Sequence, residues 1–85
     1  MKKVTLYTTP YCPYCIAALD YLKKNGIPFE NHDVSRNNTL REKVSKENGG
    51  FRTVPMIIAG DIFIGGYDDM MHLIRAGHFE AMLKD

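Results

Sequence analysis

"TTPYCPYCIAAL", residues 8–19, contains both cysteines of the chain, three positions apart and separated by a proline and a tyrosine. A β-rich run over residues 2–9 precedes the cysteines, and apolar residues recur at helical spacing after them. Proline is favoured at the first position of a helix, where its missing N–H would be unpaired anyway. The stretch therefore predicts a buried first strand followed by a helix that begins at Pro13.

A helix that begins at Pro13 places Cys12 at its N-cap and Cys15 in its first turn. Unpaired N–H groups and the helix dipole create a positive potential there, which favours a thiolate. Helix N-termini and Cys-X-X-Cys motifs commonly lower the pKa of a cysteine below the free value of about 8.5. Cys15 lies deeper and can close a disulfide with Cys12. We therefore expect Cys12 to be a nucleophile and Cys15 a resolving thiol.

Three other roles for the cysteine pair are weaker. A structural disulfide would close a loop of only four residues, which is worth about 2 kcal/mol in the chain-entropy model. A structural zinc site needs four ligands, and the three histidines, His32, His72 and His78, lack the spacing of a zinc-binding pair. An inert buried pair is the third alternative, but a proline and a tyrosine at a strand-to-helix turn favour exposure.

Length and composition favour a single globular domain over residues 1–85. The chain is 45% hydrophobic and 25% charged, and its 11 basic and 10 acidic residues leave a net charge of +1. This balance gives no reason to expect nucleic acid or an anionic membrane as a partner, and no apolar run approaches the ~20 residues of a membrane span. Because no secretory signal is apparent, we expect the protein in the cytoplasm, where thiols are kept reduced. We also expect it to be a monomer.

The remainder of the chain predicts alternating strands and helices. A second strand falls within residues 27–34, and the capping-box pattern of residues 39–42, from Thr39 to Glu42, opens a helix that ends at Gly49. A β-hairpin follows, with strands over residues 54–58 and 62–64, and a last helix starts just after residues 65–66. The order β-α-β-α-β-β-α indicates an α/β domain with a mixed four-stranded sheet flanked by three or more helices.

Two further motifs lie next to these elements. "TVP", residues 53–55, occurs where the third strand begins. A proline there often lies in a tight turn, and a cis bond would leave the backbone of Val54 free to pair with an extended peptide. "GGYDD", residues 65–69, opens the last helix, whose free N–H groups can bind an anion while Asp68 and Asp69 accept from a cation. These aspartates can equally serve only to stabilise the helix start.

In this order and at these separations, "CPYC", "TVP" and "GGYDD" resemble the glutaredoxin family, over essentially the whole chain. The resemblance implies a thioredoxin-like fold and glutathione-dependent thiol–disulfide exchange, with glutathione as co-substrate and no metal. Cys12 matches the family's nucleophile, which becomes glutathionylated, and Cys15 matches the resolving thiol used for protein disulfides. The implied substrates are disulfide-bonded or glutathionylated proteins.

The resemblance also implies a set of glutathione-binding residues. Tyr14, Thr53 and the backbone of Val54 match positions that line the glutathione cleft, and Pro55 matches the family's cis-proline. Tyr67 and Asp68 match positions that hold the γ-glutamyl end, and Asp69 matches an acidic position beside them. Gly66 is the remaining glutathione-binding position.

Thr9 departs from the family pattern, because many members carry a lysine or arginine at this position. That cation would help to stabilise the Cys12 thiolate and would meet the glycyl carboxylate of glutathione. Arg41 or Arg52 can take over the carboxylate contact, although either can also be an ordinary surface residue. We therefore expect less stabilisation of the Cys12 thiolate than in relatives that carry the cation.

Two other small redox classes remain as alternatives. "GFR", residues 50–52, and "IAGD", residues 58–61, also resemble the redoxins that donate electrons to ribonucleotide reductase and are reduced by thioredoxin reductase. "GGYDD" favours glutathione instead. "CPYC" in place of "CGFS" argues against a monothiol iron–sulfur carrier. Tyr11 flanks the cysteines, where it is either a platform for a substrate or an ordinary exposed aromatic residue.

Overall fold

The first strand, helix and second strand form a β-α-β unit in the computed structural model, which describes residues 1–85. Strand β1 (Val4–Thr8) alternates between buried and half-buried residues, as expected for a strand with one face on the core. Helix α1 (Pro13–Lys24) connects it to β2 (Phe29–Asp33), which runs parallel to β1. The predicted parallel pair is therefore present.

Helix α1 begins and ends where the sequence predicts. Pro13 is its first residue and Cys12 its N-cap, with the Cys12 sulfur accepting the Cys15 N–H at 3.2 Å. At the other end, Asn25 is the C-cap and Gly26 has φ = 63°, a conformation that only glycine adopts without strain. Both ends of the helix are thus encoded locally.

Helix α2 (Asn38–Glu47) begins earlier than the capping-box pattern predicts. Its N-cap is Asn37, whose side-chain oxygen accepts the Leu40 N–H at 3.1 Å. Asparagine is at least as good a cap as threonine, so the helix starts at the first suitable side chain and Thr39 lies inside the first turn. The predicted box of residues 39–42 is therefore wrong as the start of this helix.

The hairpin consists of β3 (Met56–Ala59) and β4 (Ile62–Gly65). Strand β3 begins two residues later than predicted, because Pro55 has no N–H to offer a neighbouring strand. It pairs antiparallel with both β1 and β4, which completes a four-stranded sheet in the order β2-β1-β3-β4. The predicted mixed sheet is confirmed.

Two helices complete the fold, α3 (Tyr67–Arg75) and the single turn α4 (Phe79–Met82). The core lies between one face of the central strands and helices α1, α3 and α4. Its buried members are Val4, Leu6, Ala18, Leu22, Ile27, Ile57, Ala59, Met70, Phe79 and Leu83. None of the helices has the length and apolar character needed to cross a membrane.

We expect the cap of α2 to contribute measurably to stability. Asn37→Ala removes the only side-chain bond to the first turn of the helix, so it should lower the free energy of unfolding by about 1 kcal/mol. The measurement is urea unfolding followed by circular dichroism. Thr39→Ala is the matched control and should cost almost nothing. A larger loss for Thr39→Ala would restore the capping box as the helix start.

Candidate active site

Three chain segments meet at one edge of the sheet. Cys12 follows the end of β1, Val54 precedes β3, and Gly66 follows the end of β4. Because β1 and β4 both run antiparallel to β3, the end of β1, the start of β3 and the end of β4 lie side by side. The Cys12 thiol consequently lies 3.7 Å from the carbonyl oxygen of Val54, although 42 positions separate the two residues.

The sulfur of Cys12 lies at the N-terminus of α1, half-buried. It accepts the Cys15 N–H at 3.2 Å, while the Cys12 carbonyl accepts the Ile16 N–H at 3.0 Å. A negative charge on this sulfur would therefore meet a backbone donor and the positive end of the helix dipole. This is the environment predicted for a nucleophilic cysteine.

Cys15 occupies a different environment, because its side chain is completely buried. Burial raises the pKa of the Cys15 thiol to about 12, and its hydrogen bond with Cys12 adds to the effect. A hydrogen bond to the backbone of Thr9 and the charge of Arg41 act in the opposite direction. Cys15 is therefore a protonated, shielded thiol at neutral pH, and both cysteines are free rather than joined in a disulfide.

A cleft of about 330 Å³ opens beside the cysteines. All eight residues that the family resemblance assigned to glutathione line it, together with one residue that was not assigned. The lining residues are Tyr14, Phe51, Thr53, Val54, Pro55, Gly66, Tyr67, Asp68 and Asp69. The Val54–Pro55 peptide bond is cis, as the resemblance implied. The structure therefore gathers residues from three separate motifs around one cavity.

Phe51 is the lining residue that the sequence analysis did not identify. Its ring packs edge-on against Phe63, with ring centroids 5.3 Å apart. The ring also approaches within 3.5 Å of the position that a Cβ on Gly66 would occupy. The only signal in the sequence was the "GFR" likeness to another redoxin class, which does not indicate where the ring points.

Two tyrosines approach each other across the cleft. The rings of Tyr14 and Tyr67 lie 5.9 Å apart between centroids and are tilted by 37°. Tyr14 belongs to the start of α1 and Tyr67 to the start of α3, so the pair connects two helix N-termini. With Phe51, these rings supply three of the nine residues that line the cleft.

Asp69 stabilises the glycine turn at the start of α3. Its carboxylate accepts the Gly66 N–H at 2.9 Å. Gly65 has φ = 109°, and a Cβ there would lie 2.3 Å from the Asp69 oxygen, so no larger residue fits. Asp68, the neighbouring carboxylate, is exposed at the cleft. Both aspartates are exposed, but only Asp69 accepts a hydrogen bond from its own helix start.

The basic side chains near the site are Arg41 and Arg52. Arg41 is half-buried, and its guanidinium donates to the carbonyl oxygen of Arg52 at 3.2 Å. Its charge reaches Cys15, where it favours the thiolate. Arg52 is exposed, and Thr9, where many relatives carry a cation, is almost fully buried. No group of three or more histidine, cysteine or acidic side chains is arranged to hold a metal.

Comparisons with known proteins agree with this geometry. The profile of the glutaredoxin family matches residues 4–64. A glutaredoxin of Pseudomonas aeruginosa is 39% identical over 84 residues, which cover 99% of both chains. Glutaredoxin 3 of Escherichia coli is 36% identical over 84 residues, 99% of this chain and 100% of that one. The chain belongs to the glutaredoxin family.

Solved structures of glutaredoxins share the fold. The solution structure of glutaredoxin from Brucella melitensis is 36% identical, with a TM-score of 0.84 over 99% of this chain and 90% of that one. A buckwheat glutaredoxin–glutathione complex is 24% identical, with a TM-score of 0.87 over 94% of this chain and 74% of that one. The predicted thioredoxin-like fold is confirmed, and the chain is a thiol–disulfide oxidoreductase.

We expect the raised pKa of Cys15 to make stability depend on alkaline pH. Since its pKa rises from 9.0 in the unfolded chain to about 12 in the folded one, the stabilisation is complete below about pH 9 and is lost as pH rises toward 12. Over that range the unfolding free energy of the reduced protein should fall by roughly one kcal/mol more per pH unit than that of Cys15→Ala. Parallel pH profiles for the two proteins would contradict this.

We also expect Asp69 to matter for stability more than its neighbour. Asp69→Ala leaves the Gly66 N–H without its partner, so the free energy of unfolding should fall by about 1 kcal/mol. Asp68→Ala is the matched control, because both carboxylates lie in the first turn of α3 and share the dipole contribution. Urea unfolding of both variants gives the difference. Equal losses would mean that the bond to Gly66 contributes nothing.

Proposed function

We propose that this glutaredoxin reduces glutathione mixed disulfides and protein disulfides with glutathione as its reductant, through Cys12. The observation that carries the proposal is the position of the Cys12 sulfur. It accepts a backbone N–H at 3.2 Å at a helix N-terminus and lies 3.7 Å from the Val54 carbonyl, on the wall of a cleft. A thiolate held there can attack a disulfide whose glutathione part occupies the cleft.

The reaction with a glutathione mixed disulfide then needs only Cys12. Its thiolate attacks the sulfur of the glutathione part, a new disulfide forms between Cys12 and glutathione, and the substrate leaves as a thiolate that takes a proton from solvent. The thiolate of a second glutathione attacks the bound glutathione sulfur. This step releases glutathione disulfide and restores the Cys12 thiolate, so one free glutathione is oxidised for each mixed disulfide reduced.

Protein disulfides require Cys15 as well. Cys12 attacks one sulfur of the substrate and forms a mixed disulfide with it, and Cys15 then attacks the Cys12 sulfur. The substrate leaves as a dithiol, Cys12 and Cys15 become a disulfide, and two glutathione molecules reduce that disulfide. Because Cys15 is buried and its pKa is about 12, it must lose its proton during this step.

The cleft offers groups that match the ends of glutathione. The start of α3 presents backbone donors for the γ-glutamyl carboxylate, and Asp68 presents a carboxylate for its ammonium group. The backbone of Val54 can pair with the peptide part of the ligand. Arg41, rather than Arg52, is our choice for the glycyl carboxylate, because its charge acts on Cys15. Asp69 supports this set by holding the turn at Gly66.

A second candidate function is electron donation to ribonucleotide reductase, with thioredoxin reductase as the source of electrons. The observation in its favour is Phe51 of the "GFR" sequence, which contributes an aromatic wall to the cleft. The polar turn of residues 65–69 favours glutathione over this alternative. Ribonucleotide reductase remains one candidate among the protein substrates of a glutathione-linked enzyme.

We further propose that the protein works as a cytoplasmic monomer, without a nucleic-acid or membrane partner. The near-neutral net charge of +1 supports the absence of such partners. The Cys-X-X-Cys pair supports a reducing compartment, because cysteine pairs there are more often catalytic than permanently joined in a disulfide.

We expect the two cysteines to have separable roles. Cys12→Ser should abolish all activity, because it removes the attacking sulfur. Cys15→Ser should retain the reduction of glutathione mixed disulfides and lose the reduction of protein disulfides. The measurement is NADPH consumption coupled through glutathione and glutathione reductase, with one substrate of each kind. Equal losses in both variants would contradict this division of roles.

The same assay distinguishes the two candidate functions. Wild-type protein should turn over with glutathione and glutathione reductase and should show little turnover with thioredoxin reductase alone. Turnover only with thioredoxin reductase would replace the proposed function by the second candidate.

A further inference from the structure

Exposed apolar side chains are concentrated around the nucleophile. The large hydrophobic residues that remain exposed are Met1, Tyr11, Tyr14, Ile16 and Ile62. Three of these five lie within four positions of Cys12, and Tyr14 among them belongs to the cleft described above. Exposed apolar surface that gathers at one place marks an interaction site more often than scattered residues do. Tyr11 and Ile16 therefore need an explanation outside the cleft.

Tyr11 and Ile16 flank the N-cap of α1 on either side in the sequence. Tyr11 precedes Cys12, and Ile16 lies one helical turn after it, with its N–H bonded to the Cys12 carbonyl at 3.0 Å. These are the two positions of a hydrophobic staple, in which both side chains pack together at a helix start. Here Tyr11 is 74% exposed and Ile16 52% exposed. Both side chains thus leave most of their apolar surface free next to the reactive sulfur.

A second cleft, of about 710 Å³, begins at Tyr11. Pro10 and Tyr11 form one side of it and the loop between β2 and α2 forms the other, and none of its residues also lines the first cleft. Its remaining lining residues are Asp33, Ser35, Arg36 and Asn37. The two clefts therefore have separate linings, with Tyr14 in the first and Tyr11 in the second.

Arg36 is the charged group of this second cleft that remains available. The Asp33 carboxylate accepts the Ser35 N–H at 2.9 Å, and the Asn37 oxygen accepts the Leu40 N–H at 3.1 Å. Arg36 is exposed and takes part in none of the ion pairs of the structure, which join Met1 to Asp85 and Lys3 and His32 to Glu30. The cleft thus combines an apolar edge with the Asp33 carboxylate and the Arg36 guanidinium. Hydrogen bonds from Ser35 lower the pKa of Asp33, and the charge of Arg36 adds to this effect without a direct ion pair.

We propose that Tyr11, Ile16 and Arg36, which we call the Tyr11 surface, bind the polypeptide part of a glutathionylated substrate. The inference rests on the proposed function. When the glutathione part occupies the first cleft, the polypeptide has to lie over protein surface outside it, and the Tyr11 surface is continuous with the Cys12 loop. Its composition fits a chain segment that carries an apolar side chain for Tyr11 and Ile16 and an acidic side chain for Arg36. Tyrosine and arginine are also enriched among residues that dominate binding.

Two glutathionylated peptides and one small mixed disulfide test the proposal. One peptide carries leucine and glutamate beside its cysteine, the other carries serine and lysine, and the small substrate joins glutathione to 2-mercaptoethanol. Ile16→Ser and Tyr11→Ser should each lower kcat/KM for the leucine–glutamate peptide about fivefold or more, the usual effect of losing an interface residue that matters. The small mixed disulfide should keep its wild-type kcat/KM, which also shows that the variants fold.

Ile62→Ser is the matched control for Ile16→Ser. Both isoleucines are 52% exposed, but Ile62 opens β4, and that strand reaches the site only at its other end, at Gly65. Ile62→Ser should leave all three substrates unchanged. If Ile16→Ser behaves in the same way, or loses the small substrate as much as the peptide, the Tyr11 surface does not bind the polypeptide.

Reversing a charge tests the contribution of Arg36. This test compares two peptides that differ only in carrying glutamate or lysine. Arg36→Glu should invert the preference between them, and an unchanged preference would overturn the assignment of Arg36 to the Tyr11 surface. If wild-type protein fails to turn over even the small mixed disulfide, the proposed function itself fails, and the Tyr11 surface fails with it. Wild-type turnover of all substrates without any peptide preference would overturn the Tyr11 surface alone.

Discussion

The hydrogen bond from the Cys15 N–H to the Cys12 sulfur is the interaction on which the site depends. It makes Cys12, which we propose as the nucleophile, the cap of helix α1. Helix α1 packs Ala18 and Leu22 into the core, and this packing holds the helix start rigidly against the sheet. The same helix buries Cys15 three residues later. Two cysteines three positions apart thus differ in exposure, because Cys12 is half-buried and Cys15 is completely buried.

The sheet brings the remaining groups to that sulfur. Antiparallel pairing of β3 with both β1 and β4 sets the start of β3 beside the ends of its two neighbours. Val54 therefore reaches Cys12, and the turn before α3 reaches the same cleft. Asp69 holds this turn by bonding the Gly66 N–H, and Gly65 leaves room for the carboxylate. The Asp69 carboxylate, which the family resemblance assigned to glutathione, therefore has a structural role in holding this turn.

The sequence predicted most of the elements, because their ends are marked by local chemistry. Proline at the first helical position, glycine after the last and alternation in the strands each act within a few residues. The prediction was wrong at Thr39. Two side chains that can cap a helix, Asn37 and Thr39, lie two positions apart, and Asn37 is the N-cap. The prediction also missed Phe51, whose ring reaches the cleft only because Phe63 and Gly66 surround it.

The sequence by itself determined the family, the order of strands and helices, and the eight residues that the family resemblance assigned to the cleft. These features could be predicted because the motifs that indicate them are formed by residues close together in the sequence. Only the tertiary structure decided how completely Cys15 is buried, how Asp69 is engaged, that the charge of Arg41 acts on Cys15, and that Tyr11 and Ile16 stay exposed. Burial and charge depend on groups that are distant in sequence, and only packing of the sheet against the helices brings these groups together.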